Sequence, residues 1–279
     1  MTSKPIYIAQ ISDLHIKPSG SLAYGKVDTA KALERCVAAL NAFAPAPDFV
    51  VISGDLADTP NAEEYDYLKA LLVPLKLPFA GIPGNHDSRE LMRAAFPDAR
   101  YAFPSGALDQ KIEIGELDLL LLDSSVPEKP HGLLEPPSLQ WLEQSLASSA
   151  SRPTLLFLHH PPFTAGIWHM DRQNLRNASE LADIVMRHPR VRLVATGHLH
   201  RAIVTMFAGV PCTICPAPNH AVDLDLGHLR QPSFRIEQPA FHLHSWFPDG
   251  GGGRLVTHQV PIGEFDGPHP FFRADGRLL

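Results

Sequence analysis

The sequence predicts a layered α/β protein, and three observations carry that expectation. Apolar, β-rich runs cover residues 6–11, 49–52, 78–82, 117–122, 155–158 and 191–195, with the unbroken hydrophobicity of strands buried on both faces. Segments with helical spacing lie between many of them, and strands alternating with helices build a layered architecture. A short polar cluster follows the C-terminal end of five of the six runs, the edge at which open α/β sheets collect their ligands.

Taken in order, run 6–11 leads into Asp13-Leu14-His15. Residues 28–43 then read as a helix with Ala32, Cys36, Ala39 and Leu40 on one face. Run 49–52 leads into Gly54-Asp55, with Asp58 three residues on, and 61–72 is a helix that starts at a capping Asn61 and places Tyr65, Leu68 and Leu72 together. Run 78–82 leads into Gly84-Asn85-His86-Asp87. Run 117–122 precedes a helix over 137–146. Run 155–158 ends in His159-His160-Pro161-Pro162, and after a helix over 178–187, run 191–195 ends in Gly197-His198-Leu199-His200. Residues 202–207 and 210–214 read as a hairpin. Beyond it, 234–237, 241–247 and 254–260 read as strands, with the glycine-rich turn 248–253 between the last two. Within 241–247, His242, His244 and Trp246 alternate with Phe241, Leu243, Ser245 and Phe247. The tail reads as a second sheet edge or a projecting hairpin, and this pattern fits a half-exposed hairpin or a dimer interface better than side chains reaching an active site.

Composition narrows the function classes. With 44% hydrophobic and 19% charged residues the body of the chain is globular. No apolar run reaches the roughly 18–20 residues of a membrane span, and the start shows no secretory pattern, so a cytoplasmic protein is expected. A net charge of -6 argues against stable nucleic-acid binding, which needs a basic footprint, although bound cations can still recruit an anionic substrate. Cys212 and Cys215 are spaced as CxxC, but no second pair accompanies them and the residues between are strand-like. With Cys36 they are expected to be buried reduced thiols.

The clusters supply donors for divalent metals. Asp13, His15, Asp55, Asn85, His159, His198 and His200 offer carboxylate, amide and imidazole ligands. Seven side chains with one shared carboxylate make two sites, the signature of a binuclear metal hydrolase. Asp-x-His alone occurs often by chance. Asp55, after a glycine that permits close approach, suits a bridge. Asp58 lies too far along its loop to bind directly and suits a supporting role. His86 can reach substrate without binding metal.

In this order and spacing the blocks D-x-H, G-D-x-x-D, G-N-H-D/E, H and G-H-x-H are all present between Asp13 and His200, and the chain resembles the calcineurin-like metallophosphoesterase superfamily. The resemblance implies a four-layer α/β/β/α sandwich of two mixed sheets flanked by helices, more specific than the single parallel sheet that pattern alone suggests. It implies that Asp13, His15 and His200 hold one metal and Asn85, His159 and His198 the other, with Asp55 bridging. His86 would face the phosphate and stabilise or protonate the leaving oxygen, and Asp58 would orient His86. His159 is preferred to His160 because the first histidine of the HHPP block is the family's ligand. The HHPP block and residues 166–171 look like the class III cyclic-nucleotide phosphodiesterase and glycerophosphodiesterase branch. The protein serine/threonine phosphatase branch fits poorly, because Thr59-Pro60 follow Asp58 and position 87 is Asp.

The implied activity is hydrolysis of small phosphodiesters, either 3′,5′-cyclic nucleotides or glycerophosphodiesters, by metal-activated water. A phosphomonoesterase, a nuclease-like phosphoesterase and a non-catalytic metal-binding scaffold are the alternatives. The mixed nitrogen and oxygen donors suit Mn, Fe, Zn or Co. Residues 1–216 are expected to form the catalytic domain and 217–279 a β-rich cap or dimerisation extension through which the chain forms a homodimer or higher oligomer. His169, Met170 and Asp171 are candidates for the pocket wall, with a helix cap the competing role for Asp171.

Overall fold

The computed structural model describes residues 4–149, 151–227, 231–250 and 252–278, so Gly251 of the expected 248–253 turn lies outside the described residues. The apolar runs assemble into two sheets rather than one. Strands β1 (Ile6–Ile11), β2 (Phe49–Ser53) and β3 (Phe79–Ile82) run parallel in the first. The second contains β4 (Gln110–Ile114), β5 (Leu117–Leu122), β6 (Thr154–Leu158), β7 (Val191–Thr196), β8 (Ile203–Phe207) and β9 (Val210–Ile214), in the order β4-β5-β6-β7-β9-β8. Its edge strands β4 and β8 pair antiparallel and its interior is parallel. After a small ribbon of β10 (Ala221–Val222) and β11 (Phe234–Arg235), the chain returns to the first sheet as β12 (Ala240–Phe247) and β13 (Arg254–Pro261), giving the order β13-β12-β1-β2-β3.

The two-residue period explains why the strands read as continuous apolar runs. Ile6, Ile8, Phe49, Val51, Leu119, Leu121, Leu155 and Phe157 meet between the sheets. Their neighbours Ala9, Ile11, Val50 and Ile52 face outward from the first sheet, and Leu120, Leu122, Leu156 and Leu158 from the second. Helices cover both outer faces. Helices α1 (Thr29–Ala42), α2 (Ala62–Leu72) and α3 (Arg89–Ala95) pack on the first sheet, and α4 (Pro136–Ser148) and α6 (Ala178–Arg187) on the second. The single turn α5 (Trp168–Asp171) lies beside the loops of the site and buries Met170 against Leu199 and Ile214. The result is the α/β/β/α sandwich that the resemblance implies. Among the described residues no helix is long and apolar enough to cross a membrane.

Local chemistry sets the helix starts. Asp28 accepts a hydrogen bond from the Lys31 amide at 2.9 Å, and Asn61 accepts one from Glu64 at 3.0 Å. Each satisfies a donor that the first turn leaves unpaired. Asn61→Ala is expected to lower stability by about 0.5–2 kcal/mol, measurable as a fall in the urea midpoint at unchanged slope.

The tail forms a sheet edge, as one of its two expected readings has it, but its side chains are placed otherwise than expected. His242, His244 and Trp246 are buried, not half-exposed. Strand β12 pairs along β1 with Gln10 opposite His242, Ile8 opposite His244 and Ile6 opposite Trp246. Residues 240–261 thus supply two strands of the first sheet, because β1 needs a partner on its free edge and β12 provides one.

Candidate metal centre

Parallel strands bring their C-terminal ends to one edge, and the five clusters meet there. Strand β1 delivers Asp13 and His15, β2 Asp55, β3 Asn85 and His86, β6 His159, and β7 His198 and His200. Asp13, His15, Asp55, His198 and His200 all have left-handed backbones, with φ of 59°, 48°, 51°, 75° and 55°. Such a conformation costs a non-glycine residue of the order of 1–3 kcal/mol and collects at functional sites. It is held by cross-loop hydrogen bonds from the Asp13 amide to the Gly54 carbonyl (3.0 Å) and from the His15 amide to that of Asp55 (2.9 Å). Two glycines permit the convergence. A Cβ on Gly54, itself at φ 102°, would lie 2.3 Å from His159 Nδ1, and one on Gly84 would lie 2.1 Å from Asp55 Oδ1.

The donor atoms crowd together without saturating one another. Asp13, His15 and His200 each place one within 4.8 Å of the others, and so do Asp13, Asp55 and His159. Asp55 Oδ2 lies 3.5 Å from His15 Nε2 and 3.3 Å from His159 Nε2, so one carboxylate oxygen sits between the two groups. His200 Nε2 lies 3.4 Å from Asp13 Oδ1 and 3.2 Å from His15 Nε2. His159 Nδ1 faces the Ser53 carbonyl at 2.9 Å and His200 Nδ1 faces that of His220 at 3.3 Å. A carbonyl only accepts, so these Nδ1 atoms carry the hydrogens and the Nε2 lone pairs point into the cluster. Asn85 Oδ1 and His198 Nε2 are buried with no hydrogen-bond partner, and His159 Nε2 meets only the Asp55 carboxylate. Buried polar atoms are normally paired. Unsatisfied lone pairs aimed at a shared space, from nitrogen and oxygen donors, fit divalent cations.

The electrostatics agree with that fit. Burial raises the Asp13 carboxyl to about 6, with nearby Asp55 adding to the rise. Burial works against the His159 imidazolium, but the Asp55 and Asp13 carboxylates outweigh it and raise the ring to about 9. Burial also opposes the charge on Asp55, and the surrounding imidazoles of His159, His86 and His15 hold it well below the usual carboxylate range. In the metal-free protein a proton on His159 therefore offsets part of the negative charge, and a cation would displace it.

Asp58 and His86 occupy the same side but connect differently from expectation. The Asp58 carboxylate faces His15 Nδ1 at 3.2 Å and Lys17 Nζ at 2.5 Å. It is the Asp58 main-chain carbonyl that accepts from His86 Nδ1, at 2.7 Å. The loop turns the carboxylate back toward β1, so Asp58 orients His15 with its side chain and His86 with its backbone. The His86 amide also donates to Asp55 Oδ1 at 2.9 Å. His160, next to the favoured His159, is buried with Nδ1 2.8 Å from Ser124 Oγ. Its Nε2 has no partner, and it groups with His159 and His198.

Several contacts of the site escaped the sequence reading, which named Asp87 in the third cluster but gave it no role. The Asp87 carboxylate accepts from the Leu56, Ala57 and Gly84 amides at 3.0, 3.0 and 2.9 Å and from the Tyr65 hydroxyl at 2.8 Å, tying the second and third loops together. Asn219 donates to the carbonyls of Asp13 and Leu14 at 2.9 and 3.0 Å. Asn219 and His220 follow β9, which runs parallel to β7, so their place at the same edge was the available signal. A cavity of about 400 Å³ opens over the centre, lined by His86, Tyr24, His169, Met170, Gln173, His220 and Phe234 among others, with no lysine or arginine in its described wall. The half-exposed His169 and buried Met170 thus reach it. Asp171 instead caps its own loop, accepting from the Ala165 and Gly166 amides at 2.7 and 2.9 Å.

A two-sheet sandwich carrying buried Asp, Asn and His donors at five strand ends is the frame of a metal-dependent phosphoesterase. The chain belongs to the calcineurin-like phosphoesterase family, whose match spans residues 6–202. It is 39% identical over 273 residues, 98% of this chain and 99% of the other, to a probable glycerophosphodiester phosphodiesterase of Arcobacter nitrofigilis. It is 34% identical over 199 residues, 71% of this chain and 70% of the other, to the 3′,5′-cyclic adenosine monophosphate phosphodiesterase of Escherichia coli K12. In fold it is similar to a dimetal phosphatase from Danio rerio, with a TM-score of 0.64 at 14% identity over 92% of this chain and 99% of that one.

Proposed function

We propose that this chain is a binuclear metal-dependent phosphodiesterase acting on small diesters, 3′,5′-cyclic nucleotides or glycerophosphodiesters. The observation that carries the reading is the set of buried, unpaired donor atoms of Asn85 and His198 beside a His159 Nε2 that meets only the shared Asp55 carboxylate. Asp13, His15 and His200 would hold one cation, Asn85, His159 and His198 the other, and Asp55 both. Mn, Fe, Zn or Co suit such donors. Bound cations supply Lewis acidity and bring the pKa of water towards neutrality.

The chain's own residues do the rest. His86 lines the cavity, and with Nδ1 fixed on the Asp58 carbonyl its Nε2 is free to hold a proton over the substrate. In the protonated ring Nε2–H donates to a phosphate oxygen and then passes its proton to the leaving alkoxide. Tyr24, His220 and Phe234 form an aromatic wall on the far side, with ring centroids 4.9 Å apart for Tyr24 and Phe234 and 5.3 Å for His220 and Phe234. Their enclosure of a small cavity, with no lysine or arginine among its described lining residues, favours a small diester over a nucleic acid. With Mn²⁺ added, bis(p-nitrophenyl) phosphate, cAMP and a glycerophosphodiester are compared with p-nitrophenyl phosphate. Hydrolysis of the monoester far faster than every diester would overturn the reading.

Asp58 acts here through His15. Asp58→Asn is expected to weaken Mn²⁺ binding roughly 10–100-fold, read by calorimetric titration. Unchanged affinity with a loss confined to turnover would instead place its effect on His86. All seven proposed metal donors precede residue 216, but residues 217–279 supply β12 and β13 to the first sheet and His220 and Phe234 to the cavity wall, so we read the chain as one catalytic unit rather than a 1–216 domain with a separate 217–279 extension. The exposed Phe265, Phe271, Phe272 and Leu278 support self-association through the C-terminal end of that unit, and deletion of 263–279 is expected to shift sedimentation to a smaller species. Three free, buried thiols fit a reducing compartment, the cytoplasm.

A further inference from the structure

Three strands that carry metal-donor loops also carry polar residues at positions where the apolar pattern calls for core. On β1, Gln10 follows Ile6 and Ile8 on the inter-sheet face. On β2, Ser53 follows Val51, and just past the end of β6, His159 follows Phe157. The inter-sheet layer therefore turns polar one step below the metal centre. Gln10 is fully buried there. Its amide nitrogen donates to Ser53 Oγ at 2.8 Å and to the Thr196 carbonyl at 3.0 Å. Ser53 is the last residue of β2 and Thr196 the last of β7. One side chain on β1 thus grips the ends of a strand in its own sheet and of a strand in the other, just ahead of Asp55 and His198. The Ser53 carbonyl is the group that orients His159, at 2.9 Å from Nδ1.

The grip is itself fixed from the tail. The Thr196 carbonyl only accepts, so the Gln10 amide must present its NH₂ there and its oxygen to the other side. That oxygen lies 3.0 Å from His244 Nε2, and His244 Nδ1 lies 2.8 Å from Thr257 Oγ1. Since Oε1 accepts, His244 carries its hydrogen on Nε2, and the Thr257 hydroxyl donates to Nδ1. A satisfied relay, buried except at its half-exposed Thr257 end, runs from β13 through β12 and β1 to the ends of β2 and β7. Satisfied buried networks of this kind specify one geometry.

We propose that Gln10 and His244 are positioning residues of the metal centre, locking the two sheets in the register that brings Asp55, His159 and His198 onto the same cations. The proposal rests on the metal-centre reading above, and it gives the C-terminal strands a role in that centre which no donor residue reveals. Its test uses the full-length chain after chelation. Mn²⁺ affinity is measured by calorimetry, kcat and KM are measured on bis(p-nitrophenyl) phosphate, and thermal unfolding is followed in parallel. Gln10→Met keeps the volume and removes both donors. It is expected to weaken Mn²⁺ binding roughly 10–100-fold and to lower kcat with little change in KM. His244→Phe is expected to act in the same direction. His244→Gln, whose amide places an N–H where Nε2–H stood, is expected to restore affinity. The two losses should be non-additive, because both break one chain of bonds.

Parental Mn²⁺ affinity in Gln10→Met and His244→Phe would overturn the proposal, even if both melt earlier, since that is the mark of packing alone. If Gln10→Met does not fold, the His244 pair decides: rescue by Gln supports the relay, and equal affinity in Phe and Gln variants overturns it. A parent chain that binds Mn²⁺ but hydrolyses no diester would strike the proposed activity and leave the affinity comparison to judge the relay.

Discussion

His86→Ala is expected to lower turnover on a small diester roughly 10²–10⁴-fold, the usual worth of a positioned proton donor, while two metals per chain stay bound. The side chain lines the cavity, and both its anchors, the Asp55 carboxylate on its amide and the Asp58 carbonyl on Nδ1, come from the neighbouring loop. The main-chain bond to Asp55 survives the substitution, so the bridging carboxylate keeps its orientation. Metal content by elemental analysis checks the assignment alongside kcat. Because a His86 ring nitrogen also falls within 4.8 Å of donor atoms of His15 and Asp55, loss of a metal in the variant would move His86 from the substrate to the ligand set.

Asp55→Ala is expected to have the wider effect, lowering affinity for both metals together and bringing turnover down to that of the chelated protein. Its Oδ2 stands between His15 and His159, at 3.5 and 3.3 Å, and its Oδ1 holds the His86 amide. Among the described residues no other carboxylate lies within 4 Å of both His15 and His159. Calorimetric titration with Mn²⁺ checks this. If one ion still bound at parental affinity, Asp55 would serve a single site rather than bridge two. The titration also carries a pH signature. The Asp55 and Asp13 carboxylates keep His159 protonated up to about 9 in the metal-free protein, and a ligating imidazole must be neutral. Parental affinity should therefore climb as pH rises toward that value, with proton release on uptake. Asp55→Ala removes the largest charge that raises His159, so its dependence should flatten at lower pH.

The order in which these features could be read from sequence has a physical cause. Strands β1, β2, β5, β6 and β7 are buried on both faces, and burial on both faces writes itself as an unbroken apolar run. Strand β4 was missed because Gln110–Ile114 lies at an edge and mixes Lys111 and Glu113 with its apolar residues. Helix α3 was missed because seven residues show too little period. The donor clusters were legible because each is local, a few residues after its strand. The partners of those donors were not. Asp58 on His15, Asp87 on three amides and Asn219 on the first loop are contacts between loops far apart in sequence, and no local spacing encodes them. Strand β12 was misjudged for a related reason. Alternating His242, His244 and Trp246 has the same pattern whether the polar face meets water or a buried amide, and the buried partner, Gln10, lies 234 positions from His244.

The left-handed backbones of Asp13, His15, Asp55, His198 and His200 give the centre an evolutionary vulnerability. Each holds a side chain where glycine or asparagine would rest more easily, so the fold would relax if chemistry were no longer demanded of it. Descendants of such a chain that took up a purely scaffolding role would be under no pressure to keep these residues and under some pressure to exchange them. Replacement at these positions is therefore where a retired member of the lineage should first betray itself, ahead of any change in its core.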